Sequence, residues 1–403
     1  MKVLFINKFF FLNGGSEAVL FRERDFLVNH GHHVIDFSMR HQDNLPSDYS
    51  EYFVSSVDYH EKKRTLYGAA KEAVKFVHNQ EAIRNISRIL AREKPQIAHL
   101  HNIYHQITPS VIPALKKAGV KVILTLHDYK LLCPSYYMLA NGSICSECAG
   151  RHFYHAALRR CQDGSLSTSI LLAAEAYWHK VFKHYEMVDL FLAPSRFIAD
   201  LMAQNRIDRK KIVVLPNGID TTEYKPSRID KNYILFFGRI SKVKGINTLL
   251  SAYKGLTRKL PLRIVGSGPY KEKLQMQHPD VEFIGYKSGD ELKQLIAEAS
   301  FSVVPSEWYE NCSMSVLESM ACGKPVIGSN IGGIPEQIAD GTSGFLFEHS
   351  NADDLGKKMA RLIQNKELRR DMGEAGRKII ERKYSLVEHC NKLAGIYEEL
   401  INQ

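Results

Sequence analysis

Residues 233–256 read YILFFGRISKVKGINTLLSAYKGL and contain a complete strand–loop–helix unit. The apolar run up to Phe237 is of the kind that is buried on both faces of a parallel sheet. Gly238 ends this run, and apolar residues at helical spacing begin after Gly245. The stretch therefore predicts a strand that leads through a glycine turn into a helix, as in doubly wound α/β domains.

The same alternation of short apolar strands and helices extends in both directions. Toward the N-terminus, strands are predicted in KVLFIN, HHVIDFS, IAHLHN, KVILTLHD, VDLFLAPS and IVVLP, and toward the C-terminus in LRIVGSGP, VEFIGY, FSVVPS and KPVIGS. Ser16 is expected to cap the first helix. The stretch at 216–232 is rich in turn formers and predicts a hinge, and one basic helix is expected over about 352–383.

Because 403 residues exceed the size of a single hydrophobic core, two domains are expected. We predict two Rossmann-like, doubly wound parallel-sheet domains that face each other across a cleft. Their expected bounds are 1–217, with a cysteine-bearing insertion at about 130–165, and 218–385. A final helix at 386–403 is expected to pack back toward the N-terminal domain. Ligands of such sheets bind beyond the carboxyl ends of the strands, which here face the cleft.

Charge and composition narrow the classes of function. The chain has 54 Lys and Arg against 44 Asp and Glu, and the resulting charge of +10 favours anionic partners. No helix-turn-helix, zinc-finger or stacking-aromatic pattern points to nucleic acid. No run approaches the roughly 20 apolar residues that span a bilayer, and Lys8 interrupts the apolar N-terminus, so a cytoplasmic protein is predicted.

The segment 60–93 combines cations with apolar residues at helical spacing. One interpretation is a helix pair that packs on the sheet and exposes its charges to solvent. The other is a basic face that rests on an anionic membrane, which would make the protein peripheral on the inner face of the cell membrane. The cations are Lys62, Lys63, Arg64, Lys71, Lys75, Arg84, Arg88 and Arg92.

Two cations follow the strand that ends at Gly238, namely Arg239 and Lys244. They stand in one loop ahead of a helix. An Arg fork, a Lys point charge and the amides of a helix N-terminus together suit a diphosphate.

Two carboxylates, Glu310 and Glu318, flank a predicted helix start in EWYENCSMSVLESMACGKPVIGS at 307–329. A carboxylate suits the two hydroxyls of a ribose. Amides at the helix start are expected to face an anion, and they belong to Ser313, Met314 and Ser315.

Four cysteines have the spacing C-x11-C-x2-C-x12-C and lie in the predicted insertion: Cys133, Cys145, Cys148 and Cys161. One interpretation is a structural zinc site that staples the insertion. The alternatives are reduced thiols without a ligand, or redox chemistry. His152 and His155 are spare candidate ligands.

Several motifs resemble family 4 glycosyltransferases. In the C-terminal half these are GRISKVKG, VGSGP, the Glu310–Glu318 pair, SMACGKPVI and GGIPE…DGTSGFL, in that order. In the N-terminal half they are GGSE, HLHN, LTLHDY, APSRF and LPNGID. The resemblance covers nearly the whole chain and implies the GT-B fold. It also implies a glycosyltransferase (EC 2.4 class, hexosyl transfer) that uses a nucleotide sugar and retains the anomeric configuration.

The resemblance also implies roles for single residues of the C-terminal half. It implies that Arg239 and Lys244 hold the donor diphosphate, that Glu318 binds the ribose, and that Glu310 contacts the sugar near the reaction centre. Gly238 and Gly266, at the ends of two predicted strands, are assigned to donor binding as well. The chain departs from the family at ENCSMS, where many members have EGFG, so that Asn311, Cys312 and Ser313 replace the glycine-rich turn.

In the N-terminal half, the resemblance implies that His127 reaches the donor sugar from the other domain. It implies that Gly15 lets the backbone approach the phosphate and the acceptor, which a Cβ would block. His99 and His101, in HLHN, are expected to be structural. The catalytic set is therefore predicted to be Glu310, His127, Arg239 and Lys244.

The predicted function is sugar transfer to a glycan or lipid-linked acceptor, in cell-envelope polysaccharide or O-antigen synthesis. No catalytic metal is expected, because cations and helix amides can neutralise the leaving nucleoside diphosphate. Two alternatives stay open: a GT-B-like nucleotide-sugar epimerase, and a non-catalytic binding protein of polysaccharide assembly.

Overall fold

The computed structural model describes residues 1–56 and 66–403, with the side chains of 66–70 outside the description. Its first sheet has six parallel strands in the order β2-β1-β3-β4-β7-β8, and β5 and β6 form a separate antiparallel hairpin. The bounds are β1 (Lys2–Ile6), β2 (His33–Phe37), β3 (Ile97–Leu100), β4 (Lys121–Thr125), β5 (Leu139–Ala140), β6 (Ser143–Ile144), β7 (Leu190–Ala193) and β8 (Ile212–Val214).

The second sheet also has six parallel strands, in the order β11-β10-β9-β12-β13-β14. The prediction of two Rossmann-like parallel-sheet domains is therefore confirmed. The last strand was not predicted. The bounds are β9 (Ile234–Phe237), β10 (Leu262–Val265), β11 (Glu282–Gly285), β12 (Phe301–Val304), β13 (Val326–Ser329) and β14 (Gly344–Phe347).

Helices cover both faces of each sheet. Those of the N-terminal half are α1 (Gly15–Asn29), α2 (Leu66–Val77), α3 (Gln80–Glu93), α4 (Ile112–Lys117), α5 (Tyr154–Leu158), α6 (Leu166–Val181) and α7 (Arg196–Gln204). Those that follow are α8 (Ile246–Lys254), α9 (Lys271–Gln277), α10 (Gly289–Glu298), α11 (Met314–Ala321), α12 (Ile334–Gln337), α13 (Ala352–Gln364), α14 (Lys366–Lys383) and α15 (Leu386–Asn402).

The prediction of one basic helix over about 352–383 is wrong. The chain breaks at Asn365, whose extended backbone ends α13, and its side chain accepts a hydrogen bond from the amide of Leu368 in the first turn of α14. Asparagine is a strong helix cap because its short side chain satisfies an otherwise free amide.

The chain crosses between the two sheets twice, and the crossing segments pair with each other. The amide of Ile219 donates to the carbonyl of Tyr384, and the amide of Leu386 donates to the carbonyl of Ile219. A Cβ added to Gly218 would lie 2.7 Å from the backbone of Leu386, so the glycine of LPNGID permits this close approach. After the second crossing, α15 packs on α1 and adds Tyr397 to the N-terminal core.

The described part of the segment 60–93 forms α2 and α3, joined by Asn79, which caps α3. Ile86 and Ile89 of α3 are fully buried against the N-terminal sheet, whereas Arg84 and Arg88 are exposed. Lys62, Lys63 and Arg64 lie outside the described residues. Within residues 1–56 and 66–403, no helix combines the length and the apolar character needed to cross a bilayer.

Candidate functional site

Two glycine turns at the carboxyl ends of neighbouring strands form the floor of the candidate site. Gly266 follows β10 with φ 145°. A Cβ added there would lie 1.9 Å from the carbonyl oxygen of Gly238, which follows β9. The two backbones are therefore in direct contact, which a side chain would prevent. Arg239 extends from this floor and is exposed, as expected for a residue that meets a ligand.

Lys244 and Glu310 are brought together by the loops that follow β9 and β12. Lys244 Nζ lies 2.6 Å from Glu310 Oε1. The same oxygen accepts hydrogen bonds from the Ser306 hydroxyl at 2.7 Å and from Trp308 Nε1 at 3.0 Å. Lys244 also lies over the Trp308 ring, 5.3 Å from its centre. The lysine is half-buried rather than fully at the cleft surface, because it neutralises a buried carboxylate.

Glu310 is ionised in this arrangement. Burial alone would raise the pKa of its carboxyl group, but the Lys244 ammonium and the hydrogen bonds from Lys244, Ser306 and Trp308 together hold the pKa below its ordinary value. The site therefore presents a fixed negative charge beside a cation, at a strand end that faces the other domain.

Glu318 has the opposite character. It lies on α11, and Glu318 Oε1 accepts a hydrogen bond from the Tyr224 hydroxyl at 3.1 Å. Burial raises the pKa of this carboxyl group to about 7, although the positive charge of Arg22 on α1 acts in the opposite direction. Glu318 and Glu310 thus differ in charge state near neutral pH, and a group that supplied hydroxyl donors to Glu318 would favour its ionised form.

Two helices that begin at the cleft come from opposite domains. α1 begins at Gly15, and the prediction that Ser16 caps it is wrong, because Gly14 occupies the cap position without a side-chain hydrogen bond. A Cβ added to Gly15 would meet Met314 Cγ at 3.6 Å, an ordinary contact. Protein atoms therefore leave room at Gly15, and the helix presents uncapped amides to the cleft.

α11 begins at Met314 on the other side. The Ser313 amide is already bonded to Gln337 Oε1 at 2.9 Å, so it is occupied in this structure. Ser315 uses its hydroxyl to bond the carbonyl of Phe237 at 3.3 Å. Of the three predicted amides, the structure thus leaves those of Met314 and Ser315 without a side-chain cap.

His127 lies just after β4 and is half-buried at the cleft wall. Its Nε2 is 2.7 Å from His101 Nδ1, and the two rings stack 5.0 Å apart. Burial lowers the pKa of His127 to about 4, so its ring is neutral at neutral pH. The preceding carbonyl, of Leu126, accepts a hydrogen bond from Asn311 Nδ2 across the cleft at 3.0 Å. His99 and His101 are fully buried in the core behind it.

A carboxylate missed by the sequence analysis joins the domains elsewhere. Glu336 on α12 accepts hydrogen bonds from the amides of Arg196 and Phe197, at 2.9 and 2.7 Å, in the first turn of α7. A carboxylate at a helix N-terminus is stabilised by the free amides and the helix dipole. Both partners lie in quoted motifs, APSRF and GGIPE, but nothing in one sequence says that the two motifs meet.

The contacts of Ser306, Trp308 and Tyr224 were missed as well. Trp308 stands in the quoted stretch EWYENCSMS, and Tyr224 in the predicted hinge. Their side chains meet the two glutamates only because loops from distant parts of the chain converge. Such contacts leave no spacing signal in the sequence.

The four cysteines of the insertion surround one small cavity, together with Leu132, Met138, His155 and Arg159. All four are free thiols. Burial, and then the neighbouring thiols, raise the pKa of Cys148 to about 12 and that of Cys161 to about 11. Across the described ranges, no three of the four sulfur atoms lie within 4.8 Å of one another.

Comparisons with known proteins agree with this architecture. Residues 13–223 match the family model Glycosyltransferase Family 4, and residues 221–379 match Glycosyl transferases group 1. An uncharacterized glycosyltransferase of Methanocaldococcus jannaschii is 32% identical over 219 residues, which cover 53% of this chain and 60% of that protein.

Another relative is the lipopolysaccharide 1,2-N-acetylglucosaminetransferase of Salmonella typhimurium, 30% identical over 222 residues, or 48% of this chain and 58% of that protein. The chain thus spans less than two thirds of the length of either relative. The crystal structure of Anabaena HepE in complex with UDP superimposes with a TM-score of 0.66 at 16% identity, over 99% of this chain and 100% of that one.

Proposed function

The chain belongs to Glycosyltransferase Family 4, and on this basis we propose that it transfers a sugar from a nucleotide diphosphate sugar to a glycan or lipid-linked acceptor. The family match covers more than half of the chain. The observation that carries the proposal is the 2.6 Å contact of Lys244 with the buried Glu310, between the loops that follow β9 and β12. Exposed Arg239 stands in the first of these loops.

Each part of a nucleotide sugar has a chemical counterpart there. Arg239 and Lys244 supply positive charge for the diphosphate, and the uncapped first turn of α1 adds amides from the opposite domain. Glu318 can accept two hydrogen bonds from a ribose, and Glu310 is an ionised group beside the sugar position. These cations and amides would carry the charge of the leaving nucleoside diphosphate without a catalytic divalent metal.

We propose retention of anomeric configuration, which is typical of the family, together with an acceptor in cell-envelope polysaccharide or O-antigen synthesis. The Salmonella relative is named for lipopolysaccharide.

Donor turnover across a panel of UDP-, GDP- and ADP-sugars tests the proposal, with and without EDTA. Release of nucleoside diphosphate with one donor, at an unchanged rate in EDTA, is the expected result. Interconversion of two sugars without release of the nucleotide would instead mean an epimerase. Binding without any turnover, over the whole panel and with candidate glycan acceptors, would mean a non-catalytic binding protein.

We also propose that the enzyme works at an anionic membrane surface, through α6. This helix buries Glu175 and His179, while Trp178 and Val181 are 39% and 71% exposed. Because they stand three positions apart, these two exposed apolar side chains share one face of the helix. Exposed Lys180 stands on the same helix. Helix α2 packs against α6 and follows the basic residues 62–64 in the chain. Apolar side chains flanked by cations fit a surface of acidic lipid headgroups.

A structural zinc in the insertion is the remaining proposal. Four thiols around one cavity have the ligand chemistry that zinc prefers. Burial raises the pKa of Cys148 and of Cys161, and a bound cation would lower both values by stabilising the thiolates. The insertion has little core of its own, since its buried cluster consists of Cys148, Phe153 and Ala156. A metal would therefore contribute directly to its stability.

A further inference from the structure

A buried glutamate lies behind the cleft, and the proposed site does not use it. Glu23 of α1 is surrounded by three buried histidines: His99 of β3, His101 directly after β3, and His389 of α15. Its Oε1 lies 2.9 Å from His389 Nε2. Its Oε2 lies 3.6 Å from His99 Nδ1 and 3.7 Å from His101 Nε2. In the part of the chain that the structure describes, Glu23 Oε2 and His101 Nε2 have no closer hydrogen-bond partner.

The position of one proton in this cluster is fixed by a backbone carbonyl. His389 Nδ1 lies 2.7 Å from the carbonyl oxygen of Pro216, which can only accept, so Nδ1 carries a hydrogen. A second proton lies between His389 Nε2 and Glu23 Oε1, on one atom or the other. In both cases Glu23 Oε2 has lone pairs only, either as part of a carboxylate or as the carbonyl oxygen of the acid.

Glu23 Oε2 therefore selects the tautomer of His101. Burial, followed by the charge of neighbouring histidines, holds the pKa of His101 well below its usual value, so the ring is neutral and carries one N–H. If that hydrogen were on Nδ1, the lone pairs of His101 Nε2 and Glu23 Oε2 would face each other in a dry core. The electrostatic preference is thus for the hydrogen on Nε2, directed at the glutamate.

His101 then determines the tautomer of His127. With its hydrogen on Nε2, His101 has a lone pair on Nδ1 and can only accept there. His127 Nε2, 2.7 Å away, must donate. The neutral His127 ring then has no hydrogen on Nδ1. Among the described residues, this nitrogen has no hydrogen-bond partner.

We propose that Glu23 is a positioning residue, which acts through His101 to hold His127 in the tautomer whose Nδ1 is a bare acceptor toward the cleft. There it accepts a hydrogen bond from a hydroxyl group of the bound sugar. The sugar contact rests on the proposed function, whereas the tautomer of His127 does not. A neighbouring residue thus sets which ring nitrogen carries the hydrogen, as carboxylates do for histidines elsewhere in proteins.

A bound divalent cation is the competing explanation for three ligand atoms that lie within 4.8 Å of one another, on Glu23, His99 and His101. The geometry favours the proton network, because His99 Nδ1 is already engaged by the Tyr397 hydroxyl at 2.6 Å. Elemental analysis of the protein distinguishes the two explanations. A metal that is lost on substitution of Glu23 but kept when the insertion cysteines are replaced would overturn the proposal.

The direct test is nitrogen NMR of protein labelled with 15N-histidine, with the His127 signals assigned from a His127→Gln variant. At neutral pH, the wild-type ring should show hydrogen on Nε2 and none on Nδ1. The opposite tautomer in the wild-type protein would refute the proposal without any variant of Glu23, and irrespective of whether the protein transfers sugar.

Variants of Glu23 separate positioning from simple packing. Glu23→Gln can direct its amide N–H at His389 and its oxygen at His101, so it should keep the His127 tautomer and the turnover number. Glu23→Leu removes the acceptor, and the tautomers of His127 should mix. Turnover should then fall about ten-fold, the scale of one hydrogen bond, while the affinity for the donor's nucleoside diphosphate stays unchanged.

Tyr397→Phe is the matched control. It removes a buried hydrogen bond from the same cluster, to His99, but leaves the path from Glu23 to His127 intact. It should lower the free energy of unfolding without altering the His127 tautomer. If Tyr397→Phe and Glu23→Leu changed turnover and tautomer alike, Glu23 would have a packing role only.

Discussion

Lys244 and Glu310 form an ion pair of 2.6 Å between the loops that follow β9 and β12. The two residues that the resemblance assigns to different parts of the donor thus contact each other directly. A bound diphosphate would place a second anion beside Lys244 and compete with Glu310 for its ammonium group. Glu310 would still accept the hydrogen bonds from Ser306 and Trp308. The pair therefore links occupancy of the phosphate position to the charge beside the sugar.

Substitution of the two cations should separate catalysis from stability. Arg239→Ala should lower transfer about 10²-fold with little change in stability, because Arg239 is exposed. Lys244→Ala should lower transfer similarly, and should also destabilise the fold by about 1–3 kcal/mol, since Glu310 loses its charged partner. Steady-state kinetics measure the loss of transfer, and chemical denaturation measures the free energy of unfolding. Lys242→Ala, an exposed lysine of the same loop, is the control, and normal turnover of Arg239→Ala would remove the diphosphate assignment.

Nucleotide binding should depend on pH through Glu318. Burial raises the pKa of this group to about 7, so the carboxylate that best accepts ribose hydroxyls forms as the pH rises through 7. Affinity for the nucleoside diphosphate should rise over that range in calorimetric titrations. Glu318→Gln should flatten this pH dependence, because the amide does not ionise. Ionisation of the ligand itself affects both proteins equally, so the difference between the two profiles is due to Glu318. Equal pH profiles would contradict the ribose role.

The same shift predicts the sign of a stability change. Between pH 4.5, the ordinary value, and about 7, the folded chain keeps a proton on Glu318 that the unfolded chain has lost. The free energy of unfolding of the wild type should therefore fall with rising pH, relative to Glu318→Gln. Denaturation at several pH values checks this, and a relative rise would mean that Glu318 is ionised in the fold.

Glu310 should act on turnover more than on nucleotide binding. Glu310→Gln keeps the shape of the side chain but removes the charge beside the sugar position, and we expect a loss of about 10²-fold in turnover. Affinity for the nucleoside diphosphate should change little. A variant with weak nucleotide binding and normal turnover would exchange the roles assigned to the two glutamates.

The hydrogen bonds that Glu336 accepts from the first turn of α7 should help to hold the two domains in the arrangement of this structure. Glu336→Ala removes both acceptors for the amides of Arg196 and Phe197, at a cost of about 0.5–2 kcal/mol. Small-angle X-ray scattering should then show a larger radius of gyration. Glu336→Gln retains one acceptor oxygen, and its radius of gyration should lie between those of the wild type and of Glu336→Ala. An unchanged scattering curve for Glu336→Ala would show that other contacts suffice.

Protein purified without chelator should contain about one zinc per chain. Cys145→Ser and Cys148→Ser should each release it and lower the melting temperature, because metal binding contributes free energy to folding. Cys390→Ser, a buried cysteine of α15, is the matched control and should retain the metal. Elemental analysis that finds no metal would leave four unliganded thiols.

Vesicle co-sedimentation tests the proposed membrane face. The protein should bind anionic vesicles more than neutral ones, and binding should weaken with salt because screening acts within about 8–10 Å. Changing Trp178 and Val181 to Gln should reduce binding to anionic vesicles. So should the quadruple change of Lys62, Lys63, Arg64 and Lys71 to Gln.

Met276→Gln is the control for the apolar substitutions, since this side chain is 84% exposed on the C-terminal domain. It should bind vesicles like the wild type. Equal binding of the wild type to anionic and neutral vesicles would return α2 and α3 to a purely structural role. Concentration-dependent self-association that is abolished by the Trp178 and Val181 changes would assign the face to a second copy instead.

The order of strands and helices could be predicted because it depends on local patterns. Apolar runs such as ILFF at β9 and helical spacing after Gly245 are set by neighbours in sequence. The predicted residues at strand ends face the cleft for the same reason, since parallel strands share a carboxyl edge. β14 and the break at Asn365 were missed, because a short Gly-led strand and a cap within a continuous helical pattern give weak local signals.

Only the tertiary structure decided which residues contact each other. The pairing of Lys244 with Glu310, the capping of α7 by Glu336 and the packing of His389 against Glu23 join residues 66, 140 and 366 positions apart. Sequence determined the residue types and the ends of the elements on which they stand. The charge of Glu310, the proton of Glu318 and the tautomer of His127 depend on burial and on partners that only the folded chain assembles, because the strength of an electrostatic interaction is set by distance and by the exclusion of water.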